Sequence, residues 1–201
     1  MIETDTLTYV KNMLKLEENE YLLEALSVLF YDDRTEITSH KELDVRGKTI
    51  EEMINSSLRF IKEKGFCPPS KVDKINCYEV INFTESRATP LRENAKSVLF
   101  SSVLELSGKG PVFTIEENGV VVSLASACIN GNFAEIQIET APSYRKKGYA
   151  KECLSALTKH LLDMGITPLY FVREENEASM KTVATFKPKL VASYIKIVGR
   201  K

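Results

Sequence analysis

A run of basic residues before a predicted helix is the feature of this sequence best suited to bind an anion. The segment reads Ala141-Pro142-Ser143-Tyr144-Arg145-Lys146-Lys147-Gly148-Tyr149-Ala150. The start of a helix leaves backbone N–H groups unpaired and carries about half a positive charge. Gly148 has no side chain, so a ligand can approach the backbone closely. Three adjacent cations have the wrong sign for helix stability, and they are better tolerated where a phosphate is the usual occupant.

The chemistry of these residues leaves a second interpretation open. Arg145, Lys146 and Lys147 could simply solvate an exposed turn, because short phosphate-binding loops are degenerate in sequence. The segment is not a P-loop, since the G-x-x-x-x-G-K-(S/T) spacing is absent, and it does not match G-x-G-x-x-G.

The elements around the turn would hold it in place. Two Asn-Gly pairs, the strongest short signal for a β-hairpin, join three predicted strands into an antiparallel meander. An amphipathic helix follows, ending at a glycine cap. The order predicts an α/β or α+β chain around one mixed sheet. The predicted strands are Tyr78–Phe83, Val112–Glu116, Val120–Ile129, Phe133–Thr140, Pro168–Arg173 and Leu190–Val198, and the helices are Leu91–Leu106, Lys147–Met164 and Glu177–Thr185.

The N-terminal third, residues 1–70, is predicted to be a helical segment. Leu7, Val10, Leu14 and Leu16 have rough helical spacing, and the apolar residues from Tyr21 to Leu29 repeat it. Another helix begins after Thr49 and ends at Gly65. Cys67-Pro68-Pro69-Ser70 then interrupts regular structure, which divides the chain into residues 1–70 and 71–201.

Composition excludes several classes of protein. The chain has 201 residues, with 27 basic against 28 acidic side chains, and this balance argues against a nucleic-acid binder. Four scattered cysteines and two histidines make a structural zinc site improbable, and we expect buried free thiols rather than disulfides. No apolar run approaches the ~20 residues of a membrane span. The acidic N-terminus is unlike a signal peptide, so we expect a cytoplasmic protein.

The basic turn and its neighbours resemble the GNAT superfamily of N-acetyltransferases. Arg145-x-x-Gly148-x-Ala150 fits the (Q/R)-x-x-G-x-(G/A) signature of that family, between a strand and an amphipathic helix. Asn176-Glu177-Ala178-Ser179 matches the element that opens the family's next helix. The resemblance covers about residues 76–198, and it implies that the segment at residues 1–70 lies on the substrate side. It implies a mixed, mostly antiparallel central sheet flanked by helices, with acetyl-CoA as co-substrate and no metal.

The resemblance also implies a role for each matching residue. Backbone groups of Ile138, Glu139 and Thr140 would pair with the pantetheine arm of the cofactor, like an added strand. The N–H groups of the turn would hold the pyrophosphate, with the basic side chains assisting; the turn consists of Arg145, Lys146, Lys147, Gly148, Tyr149 and Ala150. Asn176 would bind the cofactor arm and Ser179 would face the same groove. Such enzymes transfer the acetyl group directly from the thioester to an amine.

Direct transfer needs a base that removes a proton from the ammonium, often through water. Phe133-Ala134-Glu135-Ile136 looks like the strand that carries a glutamate base in the histone-acetyltransferase branch, so Glu135 is the predicted base and Glu139 the reserve. Apolar neighbours could raise the pKa of Glu135. The competing interpretation is that Glu135, Gln137 and Glu139 form the solvated face of a half-exposed strand.

The predicted acid is less well defined by the family pattern. Many relatives carry a tyrosine about seven residues after the asparagine, whereas this chain has Thr182-Val183-Ala184 there, followed by Phe186-Lys187-Pro188 in place of Gly-Phe. Tyr194 is the predicted acid, and Tyr170 is a further candidate. Alternatively the thiolate leaves unassisted, or each tyrosine simply packs its ring in a strand.

The prediction is therefore an N-acetyltransferase that moves an acetyl group from acetyl-CoA to a primary amine of a small molecule or protein. The alternative is a non-catalytic acyl-CoA-binding module of the same fold, motivated by the missing tyrosine, and a third is a phosphate-binding interaction domain. No nucleic-acid or membrane partner is expected. A homodimer through an exposed edge near the last strand is left open.

Overall fold

The computed structural model describes residues 5–15, 20–99 and 108–201, and the chain divides into two compact units. The first unit takes in the chain up to Asn76 together with Val191–Lys201, and the second is Cys77–Leu190. The prediction that residues 1–70 and 71–201 are separate functional domains stays a prediction.

The first unit packs two helices with a set of antiparallel strands. Helix α2 begins with the capping box of Thr49 and Glu52, in which each side chain bonds to the other residue's backbone N–H, and Gly65 follows it with a φ of 81°. Strand β10 pairs with β1, which pairs with β2. The elements are α1 (Thr6–Met13), β1 (Leu22–Tyr31), β2 (Arg34–Ser39), α2 (Ile50–Glu63) and most of β10 (Lys189–Arg200).

The predicted helix at Tyr21–Leu29 is wrong, because this segment is strand β1. An almost continuous apolar run fits a buried strand and a helix equally well, and its periodicity does not decide between them. The deciding residues lie just beyond it. Asp32 and Asp33 have φ angles of 43° and 59°, which close the tight β1–β2 hairpin. The helices at either end of the segment are confirmed by α1 and α2, while Leu16 lies outside the described residues.

The second unit contains the predicted meander and the elements that follow it. Asn118 and Gly119 have φ angles of 52° and 74°, as a type I′ turn requires, so the first predicted hairpin is confirmed. The strands of the second unit lie in the order β9, β8, β7, β6, β4, and β5 pairs with β7. The elements are β3 (Lys74–Glu79, whose last residues belong here), β4 (Thr89–Pro90), β5 (Lys96–Ser97), β6 (Val112–Glu117), β7 (Val120–Asn130), β8 (Phe133–Thr140), α3 (Tyr149–Asp163), β9 (Thr167–Arg173) and α4 (Glu177–Ala184).

One face of helix α3 is the centre of this unit's core. Cys153, Leu154, Leu157 and Leu161 are fully buried against strands β7 and β8, as the amphipathic pattern predicted. The mixed α/β class is thus confirmed, because β8 pairs in parallel with β9, and the short β5 in parallel with β7, beside the antiparallel meander.

Other predicted elements are corrected by the backbone hydrogen bonds. The predicted helix at Leu91–Leu106 is wrong over its described part, residues 91–99. There the Leu91 N–H donates to the Val112 carbonyl and the Val98 N–H to the Val121 carbonyl, so these groups bond to strands β6 and β7 instead of within a helix. Pro90 lies in strand β4, at the edge of the sheet, where a missing N–H is tolerated. Residues 100–107 lie outside the described part. The predicted Tyr78–Phe83 strand lies earlier, at Lys74–Glu79.

The last strand does not present the predicted exposed edge toward β1, because β10 pairs with β1 from Ser193 to Arg200. Strand β2 is the outer and more exposed strand beside β1 in this unit. Across the three described ranges, no helix is long and apolar enough to cross a membrane, and no cluster of side chains could hold a metal ion.

Candidate functional site

The predicted basic turn joins the end of β8 to the start of α3. After Thr140 the chain makes one 3₁₀ turn at Pro142–Tyr144, and Lys146 then takes a φ of 62°. Gly148, with a φ of 85°, is the N-cap of α3 and offers no side-chain acceptor. The Glu152 N–H donates to the Gly148 carbonyl, which leaves the N–H groups of the preceding helical residues without an acceptor inside their own helix.

The three predicted cations of the turn are exposed around this helix start. Arg145 Nε donates to the Thr140 carbonyl at 3.3 Å, so its guanidinium lies against the end of β8. Lys147 Nζ lies 4.9 Å from the Tyr144 ring centroid. The helix itself begins at Tyr149, two residues later than predicted. Basic side chains and unpaired N–H groups therefore meet at one point, as an anion site requires.

A cleft opens between β8 and β9 directly before this turn. The two strands pair in parallel only over Phe133–Glu135 and Thr167–Leu169, and the ladder ends there. Beyond that point the strands separate around a cleft of about 330 Å³. Its lining residues are Leu124, Ile136, Gln137, Ile138, Glu139, Tyr170 and Phe171.

This cleft is lined by side chains from both faces of the sheet. Ile136 and Tyr170 belong to the core that packs under α3, and Ile138 packs against that core. Gln137 and Glu139 alternate with them, so they project from the opposite face. An extended ligand that enters from the α3 side could therefore present one end to the other side of the sheet.

Tyr170 connects the cleft to the first turn of helix α4. Its side chain is only 5% exposed, and burial raises the pKa of its phenol, while side-chain hydrogen bonding from Ser179 partly offsets that rise. Ser179 N–H donates to Asn176 Oδ1 at 3.2 Å, which makes Asn176 the N-cap of α4. The side chains of Tyr170 and Ser179 thus meet where the cleft opens, and Asn176 fixes the backbone of Ser179.

The predicted base lies where the two strands part. Glu135 is half-buried, and it pairs with Leu169 at the last position of the parallel β8–β9 ladder. Burial raises the pKa of the Cys77 thiol to about 12, and the charges of Glu79 and Glu135 add to the rise. Glu139 is also half-buried and lines the cleft.

Ile138 and Thr140, two further predicted site residues, lie on β8 in the cleft wall and just beyond it. Ile138 is half-buried in the cleft wall, and Thr140 exchanges a hydroxyl hydrogen bond of 2.7 Å with Ser123 of β7. Tyr194 is half-buried on β10 of the first unit, in register with Leu29 of β1. Its assignment as the acid stays a prediction.

A further charged group, Arg87, lies beside the helix start and is not indicated by any pattern in the sequence. Arg87 lies with its Cζ 4.9 Å from the Tyr149 ring centroid and its Nε 3.1 Å from Glu152 Oε2. Tyr149 itself is buried and donates its hydroxyl to Glu117 Oε1 at 2.5 Å. Arg87 and Glu117 are distant from the turn in sequence and belong to no motif, so no local pattern points to them.

The two buried cysteines are not activated nucleophiles. Cys153 is fully buried on α3, and burial raises the pKa of its thiol to about 12, as it does for Cys77. All four thiols are free, as predicted, but the predicted burial is wrong for Cys67 and Cys128, which are exposed. A mechanism that acylates Cys77 or Cys153 is therefore not favoured.

The chain matches the sequence model of the GNAT acetyltransferase family over residues 48–187. A search of the curated proteins finds no match.

Among solved structures, the chain is similar to a GCN5-related N-acetyltransferase-like protein from Streptococcus suis, with 14% identity and a TM-score of 0.54, covering 99% of this chain and 94% of that one. It is also similar to an acetyltransferase of the GNAT family from Colwellia psychrerythraea (15% identity, TM-score 0.53, covering 73% and 63%). A third is a protein assigned to the GNAT family from Novosphingobium aromaticivorans (15% identity, TM-score 0.53, covering 66% of each chain). The chain thus spans slightly less than two thirds of the latter two proteins. At these identities the likenesses establish the fold.

Proposed function

Because the chain belongs to the GNAT acetyltransferase family and is an acyltransferase, we propose that it transfers an acetyl group from acetyl-CoA directly to a primary amine of a small molecule or protein. One observation carries the proposal. The cleft between β8 and β9 leads along β8 into a helix start that combines unpaired N–H groups with three cations. This arrangement suits a ligand with an extended arm and a pyrophosphate.

In this proposal the cofactor runs parallel to the chain from Ile136 to Ala150. The pantetheine arm pairs with backbone groups of Ile138–Thr140, on the side of β8 where the ladder with β9 has ended. The pyrophosphate accepts hydrogen bonds from the N–H groups at the start of α3, and Arg145, Lys146 and Lys147 add positive charge. Asn176 and Ser179 border the arm from the first turn of α4.

The proposed reaction is a direct displacement at the thioester carbonyl. The neutral amine attacks, a C–N bond forms, the C–S bond breaks, and CoA leaves as the thiolate. Glu135 accepts the proton of the ammonium, directly or through water. Its place at the last β8–β9 pair, on the face opposite Ile136, suits an amine that arrives from the side of the sheet away from α3.

The leaving thiolate needs a proton, and Tyr170 is the group whose position best supports that role. It lines the cleft, and its raised pKa keeps the phenol protonated through the neutral range. The phenol O–H protonates the sulfur, and the phenolate takes up, through water, the second proton that the nitrogen loses as the amide forms. Tyr194 on β10 remains the alternative donor.

The proposal also includes a cytoplasmic location for the protein.

Two measurements on the purified chain test this function. Isothermal titration with acetyl-CoA is expected to give a single site. Release of free CoA thiol over a panel of primary amines, including polyamines, amino sugars and peptide N-termini, is expected to identify an accelerating acceptor. Absence of binding at millimolar acetyl-CoA would contradict the proposal. Binding without acceleration by any acceptor class would refute the amine as substrate.

A further inference from the structure

Arg87 lies at the centre of a charged cluster that flanks the start of α3. Its backbone N–H and Nε both donate to the Glu152 carboxylate, at distances of 3.1–3.3 Å. Its Nη2 lies 3.8 Å from Glu117 Oε1, the same oxygen that accepts the Tyr149 hydroxyl. The hydrogen bond with Tyr149 and the charge of Glu152 raise the pKa of Arg87, so it is always protonated.

The chain segment that carries Arg87 is tied to α3 by hydrogen bonds. Thr84 N–H donates to Ser155 Oγ at 2.7 Å, and Ser155 Oγ donates back to the Thr84 carbonyl at 2.6 Å. Ser86 Oγ donates to the Glu152 carbonyl at 2.8 Å. Residues 84–87 therefore run along the first turns of α3, and the position of Arg87 is determined by backbone contacts as well as by its ion pairs.

The charges around the helix start conflict with a bound pyrophosphate. Glu117 and Glu152 place two carboxylates beside Tyr149, which is the first residue of α3. A pyrophosphate at the N–H groups of this turn would be repelled by both. Arg87 is the cation in contact with both carboxylates, and it compensates one of their two charges.

We infer that Arg87 is a positioning residue for the cofactor, which compensates Glu117 and Glu152 and holds Tyr149 so that the start of α3 accepts a pyrophosphate. This inference rests on the proposed function, because it assumes that the anion is that of acetyl-CoA. It assigns to Arg87 no direct contact with the phosphates. The carboxylates are therefore the groups through which its effect passes.

The test is the dissociation constant of CoA, measured by titration calorimetry at low and high salt. Removing one compensating charge in Arg87→Gln should weaken CoA binding about 3- to 10-fold at low ionic strength, with the loss shrinking to about twofold or less near 0.5 M salt. Arg87→Lys, which keeps the charge, should recover most of the affinity. Lys159→Gln removes an exposed cation that pairs with Asp163 at the far end of α3, and should leave CoA affinity unchanged.

The sign of the effect at Glu152 separates charge compensation from a merely structural tether. Glu152→Gln should bind CoA as tightly as the unmodified chain or more tightly, because Arg87 then adds a net positive charge. Arg87→Gln combined with Glu152→Gln should return to within about twofold of the unmodified chain. Circular dichroism checks that each variant is folded, and if Arg87→Gln is not, the sign of the change in Glu152→Gln carries the test.

The outcomes are separable from those of the proposed function. If the unmodified chain does not bind CoA, the proposed function fails. If it binds CoA but Arg87→Gln binds equally well, the inference alone is overturned. It is also overturned if Glu152→Gln weakens binding as much as Arg87→Gln, because that result identifies the ion pair as a tether.

Discussion

Glu135 of β8 and Leu169 of β9 form the last pair of the parallel ladder, and the next residues of each strand, Ile136 and Tyr170, already line the cleft. Glu135, the candidate base, therefore lies at the point where the two strands separate, and Tyr170, a candidate acid, lies one residue beyond it on β9. Glu135 projects from one face of the sheet, whereas Tyr170 belongs to the core on the other. This arrangement suits a reaction in which the acyl donor and the acceptor approach from opposite faces.

The first prediction concerns the base. Glu135→Gln keeps the shape of the side chain and removes its ability to accept a proton, so kcat should fall by about 100-fold or more while the Kd of acetyl-CoA stays nearly the same. Steady-state thiol release and calorimetry measure the two quantities. Glu139→Gln is the matched variant and should retain most of kcat. An unchanged kcat in Glu135→Gln, or a larger loss in Glu139→Gln, rules out Glu135 as the base.

The second prediction concerns the proton donor. Tyr170→Phe should lower kcat by about 10- to 100-fold, with little change in the KM for acetyl-CoA, because the ring still fills the core but no longer protonates sulfur. Since burial raises the pKa of Tyr170, the phenol stays protonated at neutral pH and no loss of kcat from its ionisation is expected there. Tyr194→Phe is the comparison. If it lowers kcat and Tyr170→Phe does not, the roles are reversed.

The third prediction uses two glycines with similar backbone strain. Gly148 and Gly131 have φ angles of 85° and 60°, and an added Cβ meets no atom within 4 Å at either position. Gly148→Ala and Gly131→Ala should each destabilise the fold by about 1–2 kcal/mol through the left-handed conformation. Only Gly148→Ala should also weaken CoA binding, since its Cβ occupies the approach to the N–H groups. Chemical denaturation and calorimetry measure both effects. Equal CoA affinities in the two variants would argue against a cofactor at this turn.

The fourth prediction follows from the raised pKa of the two buried cysteines. At pH 8 an aromatic disulfide reagent should label Cys67 and Cys128 in the native protein, and Cys77 and Cys153 only after denaturation. The stability gained by keeping the buried thiols neutral is fully present below their unfolded pKa near 9. It is lost as the pH rises toward their folded value of about 12. Labelling of all four thiols in the native state would contradict their burial.

Elements governed by local chemistry were predictable from the sequence. The Asn118-Gly119 turn, the capping box of Thr49 and Glu52 and the apolar face of α3 each depend on residues a few positions apart. The strand state of β1 could not be predicted from its apolar run, because it depends on pairing with β10, which lies far along the chain. The segment after Pro90 failed for the same reason, since its hydrogen bonds go to β6 and β7.

The same distinction between local and long-range determinants applies to the candidate site. The basic turn is contiguous, so its residue types and spacing identify it directly. The cleft between β8 and β9 depends on where a parallel ladder stops, and the sequence does not encode that point in any short pattern. Arg87 and Glu117 come to Tyr149 from 62 and 32 residues earlier in the chain, so only the folded structure brings these charges together.

A ¹⁵N–¹H correlation spectrum of the protein, titrated with CoA, shows directly whether the cofactor binds along β8 and at the start of α3. We expect the largest amide shifts along two stretches, Ile136–Thr140 beside the cleft and Lys146–Lys151 at the start of α3, with smaller shifts at Tyr170 and Ser179. Gly148→Ala should abolish them at the same CoA concentration. Shifts confined to other parts of the chain, such as the cleft that α1 forms with β1 and β2, would contradict a cofactor site at this turn.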